Sequence, residues 1–451
     1  MSGSTQHRLA VALALAVLTS SLAAVAACST AALPRSTAVG SAAAPDATRP
    51  VAPSVSSGLG TAHPSSAASA VVSTGNAWEA VATNQGGATK RMYGVTAGHG
   101  MFVAVGHAGR AYMPDSDERG TVTMGASEVS ALSGGAWIST DGQTWIGSVV
   151  YPDFDDAGLE AVTSTSSGFV AVGHVGTNEP RAAIWTSTDG QDWYWTEDDR
   201  VFAPPPDGGG SNLWSVASAG DALVTVGREW STADGSVTSR RAVAWYSSDG
   251  STWHRAESIE DGEGAMFNTV ASTGSGWIAA GVAAGSGRPA IWSSADGNEW
   301  RMADMAQGSD GAVLSIVQGG PGFVAVGLVF DAGVPRPAVW TSGDGTTWDR
   351  EQFPALAART SAGGISSVTN DGEGLIAIGY LVEGDSWQGT LWTSPDGAVW
   401  TESPAIPALG GGAIGPISNG PLSITSSGST IVAVGATSEA PAAIWARFAV
   451  P

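Results

Sequence analysis

Ser187-Thr188-Asp189-Gly190-Gln191-Asp192-Trp193 is one of six copies of the tract Ser-x-Asp-Gly-x-x-Trp, the others running from Ser139, Ser247, Ser294, Ser342 and Ser394. The copies lie 47 to 60 residues apart, the spacing of a four-stranded propeller blade. Asp-Gly between two extended apolar segments is a hairpin signal, because Gly takes positive φ at no steric cost and Asp bonds nearby backbone N–H groups. With Asp189-Gly190 as the central pair of a tight turn, Thr188 is predicted to face Gln191 and Thr186 to face Trp193.

A second element fixes the number of units. An apolar strand ending in glycine recurs seven times: Phe102 to Gly106, Phe169 to Gly173, Leu223 to Gly227, Trp277 to Gly281, Phe323 to Gly327, Leu375 to Gly379 and Ile431 to Gly435. Each is followed by a variable loop and a strand carrying Trp137, Trp185, Trp245, Trp292, Trp340, Trp392 or Trp445. The fold expected is all-β, a seven-bladed β-propeller of four-stranded antiparallel blades. After Trp445 no further Asp-Gly turn follows, while Gly75-Asn76-Ala77-Trp78 reproduces the Gly-x-x-Trp half of the tract. The N-terminal strand at Trp78 is therefore predicted to complete the last blade and close the ring, which leaves no long sheet edge unpaired. Fourteen of the 19 tryptophans occupy repeat positions and are expected in the core.

The tract resembles the Asp-box, or BNR, repeat of sialidase-like propellers, Ser-x-Asp-x-Gly-x-x-Trp, from about residue 73 onward, but is one residue shorter in every copy. In that family the box is a structural turn remote from the active site, so the resemblance implies that Asp141, Asp189, Asp249, Asp296, Asp344 and Asp396 are structural and not catalytic. The family's Phe/Tyr-Arg-Ile-Pro segment is absent, and its Tyr-Glu nucleophile and acid/base Asp find no matching positions, so no catalytic residue is carried over. Tyr380 with Glu383 and Asp385 shares one predicted loop and is the nearest imitation of such a set. Arg181, Arg241, Arg288 and Arg336 open the third strand in four consecutive repeats. That regularity suits a blade-interface partner better than a substrate-binding arginine triad.

The ends and the charge place the chain in the cell. His7 and Arg8 precede an apolar run from Leu9 to Leu22, and Val25-Ala26-Ala27-Cys28 resembles the lipobox of bacterial lipoproteins. Residues 1–27 read as a signal peptide and Cys28, the sole cysteine, as the lipidated residue. Residues 28–72 are an Ala/Ser/Pro/Thr-rich stretch too poor in large apolar groups to fold; as a tether it spans roughly 35 to 40 Å. Residues 73–451 form the propeller. The formal charge of -22, with Lys90 the sole lysine, argues against nucleic acid. A monomer is expected, exported and lipid-anchored to the outer face of the cytoplasmic membrane, or to the outer membrane in a diderm cell. No cofactor is expected.

Binding residues are sought on the face bearing the loops between second and third strands. The insertion 107–135 carries Arg110 and Tyr112, and Trp195, Trp230, Tyr380 and Trp387 are predicted loop aromatics suited to stacking on a glycan or an envelope protein. His107 and His174, with Asp153, Asp155 and Asp156 in the crossing between their blades, are weak candidates for a metal; no metal-binding motif accompanies them. The leading expectation is a noncatalytic platform for ligand binding or protein interaction. A sialidase-like glycoside hydrolase and an assembly factor for a membrane complex are the alternatives.

Overall fold

The computed structural model describes residues 78–81, 91–108, 132–151, 154–177, 179–196, 201–203, 205, 208–233, 236–305, 308–351, 362–404, 406–413, 420–436 and 443–448. Cys28, the signal peptide, the tether, Arg110, Tyr112 and Asp153 lie outside the described residues.

The protein is a seven-bladed β-propeller. Each blade has the four antiparallel strands expected, and blades 2, 4, 5 and 6 gain a short fifth strand, Val149–Tyr151, Ser258–Ile259 and Asp304–Met305 paired in parallel on the outer strand and Gly411–Ala413 antiparallel on the third. From the centre outward, the four of blade 1 are Arg91–Gly98, Met101–Ala108, Ser133–Ser139 and Ile146–Gly147, and those of blade 2 are Ala157–Thr165, Gly168–Val175, Arg181–Ser187 and Asp192–Thr196. Blade 3 is Gly210–Ala219, Ala222–Ala233, Ser236–Ser247 and His254–Arg255; blade 4 is Met266–Ser272, Trp277–Val282, Pro289–Ser294 and Glu299–Met302. Blade 5 is Gly311–Gly319, Gly322–Asp331, Val334–Ser342 and Thr347–Arg350; blade 6 is Ala362–Asn370, Leu375–Glu383, Ser386–Ser394 and Thr401–Glu402. Blade 7 takes Gly420–Ser427, Thr430–Ala436 and Ala443–Phe448 from the end of the chain and its outer strand, Trp78–Val81, from the beginning. That outer strand is antiparallel, with Trp78 opposite Arg447 and Ala80 opposite Trp445. Closure by the N-terminal strand is as the half-tract at Trp78 predicts.

The core is divided among the gaps between blades. Val103, Val105 and Ala136 of blade 1 pack with Leu159, Phe169 and Trp185 of blade 2, and a comparable cluster fills each successive gap around to Val432, Val434 and Ile444 of blade 7 against Phe102 and Trp137 of blade 1. All fourteen repeat tryptophans are buried. Each removes some 150 to 250 Å² of ring from water, a gross transfer gain of ~4 to 6 kcal/mol before ordering entropy is counted.

The box turn differs from the tight hairpin expected. In all six copies the residue before the Ser pairs with the residue after the Trp, as in Thr186 with Tyr194 and Tyr246 with His254, so the whole seven-residue tract connects the third and fourth strands. A two-residue type I′ turn needs positive φ at both central residues; here Gly190 has φ of 73° whereas Asp189 is not in that region. Side chains close the wider loop instead. Ser187 Oγ accepts from the Gly190 N–H at 2.8 Å, and Asp189 Oδ1 accepts from the N–H groups of Gln191 and Asp192, both at 2.9 Å. The Trp193 indole N–H then donates to the Gly190 carbonyl at 2.9 Å. A Cβ on Gly190 would approach Val103 and Ile138 of the preceding blade to 3.1 Å, so the glycine serves both the turn and the seating of one blade on the next. These bonds hold Asp189, like the other five box aspartates, below the usual carboxylate range.

Candidate functional site at the ring centre

The seven innermost strands share an irregularity that defines the centre. In each blade the register against the second strand slips by one residue, skipping Tyr93, Glu160, Trp214, Asn268, Leu314, Ser366 or Leu422. A bulge re-aims the extra side chain, and all seven line one cavity of about 200 Å³ on the ring axis. The strand-ending glycines leave room for the bulge. Gly106, Gly173, Gly227, Gly281, Gly327 and Gly379 each stand where a Cβ would come within 1.7 to 2.1 Å of a carbonyl oxygen on the bulged strand, an approach only glycine permits.

The residue after each bulge is small: Gly94, Ala161, Ser215, Thr269, Ser315, Ser367 and Ser423. Three of them lace neighbouring blades. Ser423 Oγ accepts from the Val95 N–H at 3.3 Å, Ser215 Oγ from Val270 at 3.1 Å and Ser315 Oγ from Val368 at 3.3 Å. Repeat symmetry thus builds the wall, while seven inequivalent side chains give the cavity its chemistry.

Glu160 is the one carboxylate among the lining residues. Its Oε1 lies 3.5 Å from His107 Nε2 and 3.8 Å from His174 Nδ1, and receives the Asn212 side-chain N–H at 3.4 Å. His174 Nδ1 donates to Asn212 Oδ1 at 3.1 Å. Burial raises the cost of ionising Glu160, but the hydrogen bond and charge of His107, with the Asn212 bond, outweigh it and hold the carboxyl below its usual range. Burial pushes His174 down to about 4, so it is neutral at pH 7. Tyr93 stacks on His107, centroids 4.6 Å apart, and the His107 and His174 rings meet edge to face at 6.0 Å.

The pair His107 and His174 is thus brought together around Glu160 rather than around the crossing aspartates. Asp155 is exposed and bridges to Ser133, and Asp156 takes φ of 58° and accepts the Thr177 hydroxyl. Buried His107 Nδ1 and His174 Nε2 have no hydrogen-bond partner, whereas metal-bound imidazoles use the distal nitrogen to hold the ring. Among the described residues no group of three or more His, Cys, Asp or Glu is placed to hold a metal ion.

The four described aromatic candidates lie on strands and not in loops: Trp195 is on a fourth strand, and the second and third strands of blades 3 and 6 run on through the variable segments that hold the other three. Trp230 lies in Ala222–Ala233 and is 3 % exposed; Arg228 is sandwiched between it, at 5.3 Å, and Trp214 of the cavity wall, at 5.0 Å. Tyr380 and Trp387 sit on paired strands and pack with Ala362 and Val382 in a satellite core. Burial raises the Tyr380 hydroxyl well above its usual range, while Glu383 and Asp385 are exposed at the hairpin tip, so no Tyr-Glu set forms there. Trp195 is half-buried on the fourth strand of blade 2, opposite Trp185. Arg241 and Arg336 lie within third strands rather than opening them. Arg241 pairs with buried Glu229 of its own blade, Nε to Oε1 at 2.9 Å, and Arg255 donates to Oε2 at 2.8 Å.

Sequence reading missed the seven bulge residues, although their signal was present. Each stands thirteen positions before a repeat glycine, from Tyr93 and Gly106 to Leu422 and Gly435.

No family model matches the chain, and no curated protein matches it by sequence. Among solved structures it is similar to Trypanosoma rangeli sialidase in complex with sialic acid, at 15% identity over 82% of this chain and 57% of that one, with a TM-score of 0.37. A family 117 glycoside hydrolase of Zobellia galactanivorans is similar at 8% identity over 50% of this chain and 74% of that one, TM-score 0.32. Sucrose-6-phosphate hydrolase from Lactobacillus gasseri is similar at 11% over 56% and 62%, TM-score 0.34. The chain spans a little over half the length of the trypanosomal sialidase chains. At these identities the likeness concerns fold alone.

Proposed function

We propose that the protein is a cell-envelope lipoprotein, anchored through Cys28, whose propeller is a noncatalytic platform that takes a ligand at the ring centre. The observation carrying this reading is the cavity of about 200 Å³ bounded by seven inequivalent bulge side chains on a scaffold that is otherwise repetitive. A repeat position kept for packing tends to one residue type, as the box tryptophans do. The bulge position varies from blade to blade in charge, size and polarity.

The sialidase-like alternative has less support. Glycoside hydrolysis in most families uses a pair of carboxyl groups on either side of the scissile bond, and the described lining offers Glu160 alone and no arginine. Purified full-length protein assayed on a panel of aryl glycosides, sialosides included, tests this. No turnover is expected; turnover abolished by Glu160→Gln would replace the platform with an enzyme. Anchoring is tested separately by metabolic labelling with an alkyne fatty acid, where label lost in Cys28→Ser is expected and label retained in that variant contradicts it.

A further inference from the structure

The seven bulge positions place Tyr93, Glu160 and Trp214 on three consecutive blades, an ionised carboxylate between two aromatic rings at one level of the cavity. The rest of the wall includes Leu314, Ser366 and Leu422, which carry no charge. Asn268 is 7 % exposed and lines the same cavity; its amide N–H donates to the Val313 carbonyl at 2.9 Å, while its Oδ1 is buried without a partner. Glu160 and Asn268 Oδ1 are both acceptors, so where these two face the cavity an occupant is asked for donors.

We propose that this sector receives a primary alkylammonium group, with Glu160 as its counter-ion, Asn268 Oδ1 as a second acceptor and Tyr93 and Trp214 as flanking walls. The inference rests on the reading of the cavity as the ligand site. An ammonium is a compact point charge with three donors. A guanidinium asks for both oxygens of a carboxylate in a planar fork, and Oε1 of Glu160 is already engaged by His107 and Asn212. Protein sites for hard divalent cations are built mainly on carboxylates and carbonyls, and Glu160 is the one carboxylate among the lining residues. Arg228 already occupies the Trp214 ring at 5.0 Å, so charge recognition falls on Glu160 and Trp214 contributes apolar contact. The cavity is smaller than drug-sized pockets, which fits a short aliphatic amine entering head first.

The same chemistry is carried by a free diamine and by a lysine side chain of a partner, and titration calorimetry on full-length protein in detergent separates them. The probes are n-butylamine, 1,4-diaminobutane, Nα-acetyl-lysine methylamide, n-butanol and butyrate. Saturable binding of the amines is expected, with the free diamine or the lysine derivative tighter according to source, and none for the alcohol or the acid. Glu160→Gln should weaken amine binding roughly 10- to 100-fold. Ser366→Trp, which fills the cavity from the opposite wall and leaves Glu160 untouched, should block it in a variant whose circular dichroism is unchanged. Butanol or butyrate binding as well as butylamine, with Ser366→Trp blocking it, would overturn the amine assignment and leave the platform standing. Amine affinity indifferent to both substitutions would overturn the assignment, and absence of binding by every probe would do the same.

Discussion

Replacing Trp78 by Ala tests the seam at which the ring is sealed. The strand Trp78–Val81 contributes only four residues to blade 7, yet it is the outer strand of that blade, and its register runs Trp78 to Arg447, Glu79 to Ala446, Ala80 to Trp445 and Val81 to Ile444. The Trp78 side chain is 9 % exposed and packs in one cluster with Ile376 and Leu409 of the blade 6 region and Ile431 and Trp445 of blade 7. Trp→Ala in a core costs ~3 to 5 kcal/mol. A short edge strand can settle into part of the void, which puts the expected loss near ~3 kcal/mol. Urea denaturation at pH 7, followed by tryptophan fluorescence, should show the midpoint falling accordingly. The neighbouring Glu79→Ala, whose side chain is not in the core, should stay within ~0.5 kcal/mol of the parent. A freed outer edge on Ala443–Phe448 should also raise the proportion of higher-mass species on size exclusion. A Trp78→Ala midpoint indistinguishable from that of Glu79→Ala would refute the closure as a source of stability.

Three further outcomes follow from the geometry. The box carboxylates are held below their usual range, Asp344 to about 2 by the backbone N–H groups of Thr346 and Thr347, so their contribution is full above the unfolded Asp value near ~4 and is lost as pH falls through the folded value; Asp344→Asn should flatten the urea midpoint between pH 4 and 2, and an unchanged slope would count against the turn as an ionic cap. His174, depressed to about 4 by burial and by the charge of His107 against the opposing pull of Glu160, Asn212 and Asp156, contributes stability that is full above the unfolded His value near ~6.5 and is lost as pH falls from there through 4; His174→Gln should remove that part of the pH profile, and a titration of the His174 ring by NMR near the ordinary value would contradict its burial as neutral. Glu229 is 3 % exposed in its side chain and serves Arg241 and Arg255, which are 45 % and 36 % exposed; Glu229→Gln should cost ~2 to 3 kcal/mol in urea denaturation, and a variant as stable as the parent would show that the arginines rehydrate without loss.

The scaffold was legible because it repeats. The box tract recurs six times in register with a strand-ending glycine that recurs seven times, and the half-tract at Trp78 that makes up the difference predicts the ring and its closure. Local geometry was less legible. Asp189-Gly190 reads as a two-residue hairpin by composition, but the Ser187 and Asp189 side chains stabilise a wider loop that no strand-pairing rule anticipates. Trp230 and Trp387 look like loop residues in the sequence because their segments vary between repeats; the strands nevertheless continue through them, and length variation falls at the hairpin tips. The centre was hidden for the opposite reason. Tyr93, Glu160, Trp214, Asn268, Leu314, Ser366 and Leu422 differ so much in type that they form no motif, and only the fixed distance to a glycine ties them together. The cluster of Glu160 with His107, His174 and Asn212 joins three consecutive blades, a proximity that exists only once those blades have packed against one another.

The ring centre as the ligand site is tested most directly by methyl NMR of full-length protein labelled at leucine, titrated with n-butylamine. Leu314 and Leu422 line the cavity, whereas Leu223 and Leu375 belong to the packing between blades. Saturable shifts confined to Leu314 and Leu422, and absent in Glu160→Gln, are expected. Shifts spread over Leu223 and Leu375, or none at Leu314 and Leu422 at saturating amine, would contradict a binding site on the axis.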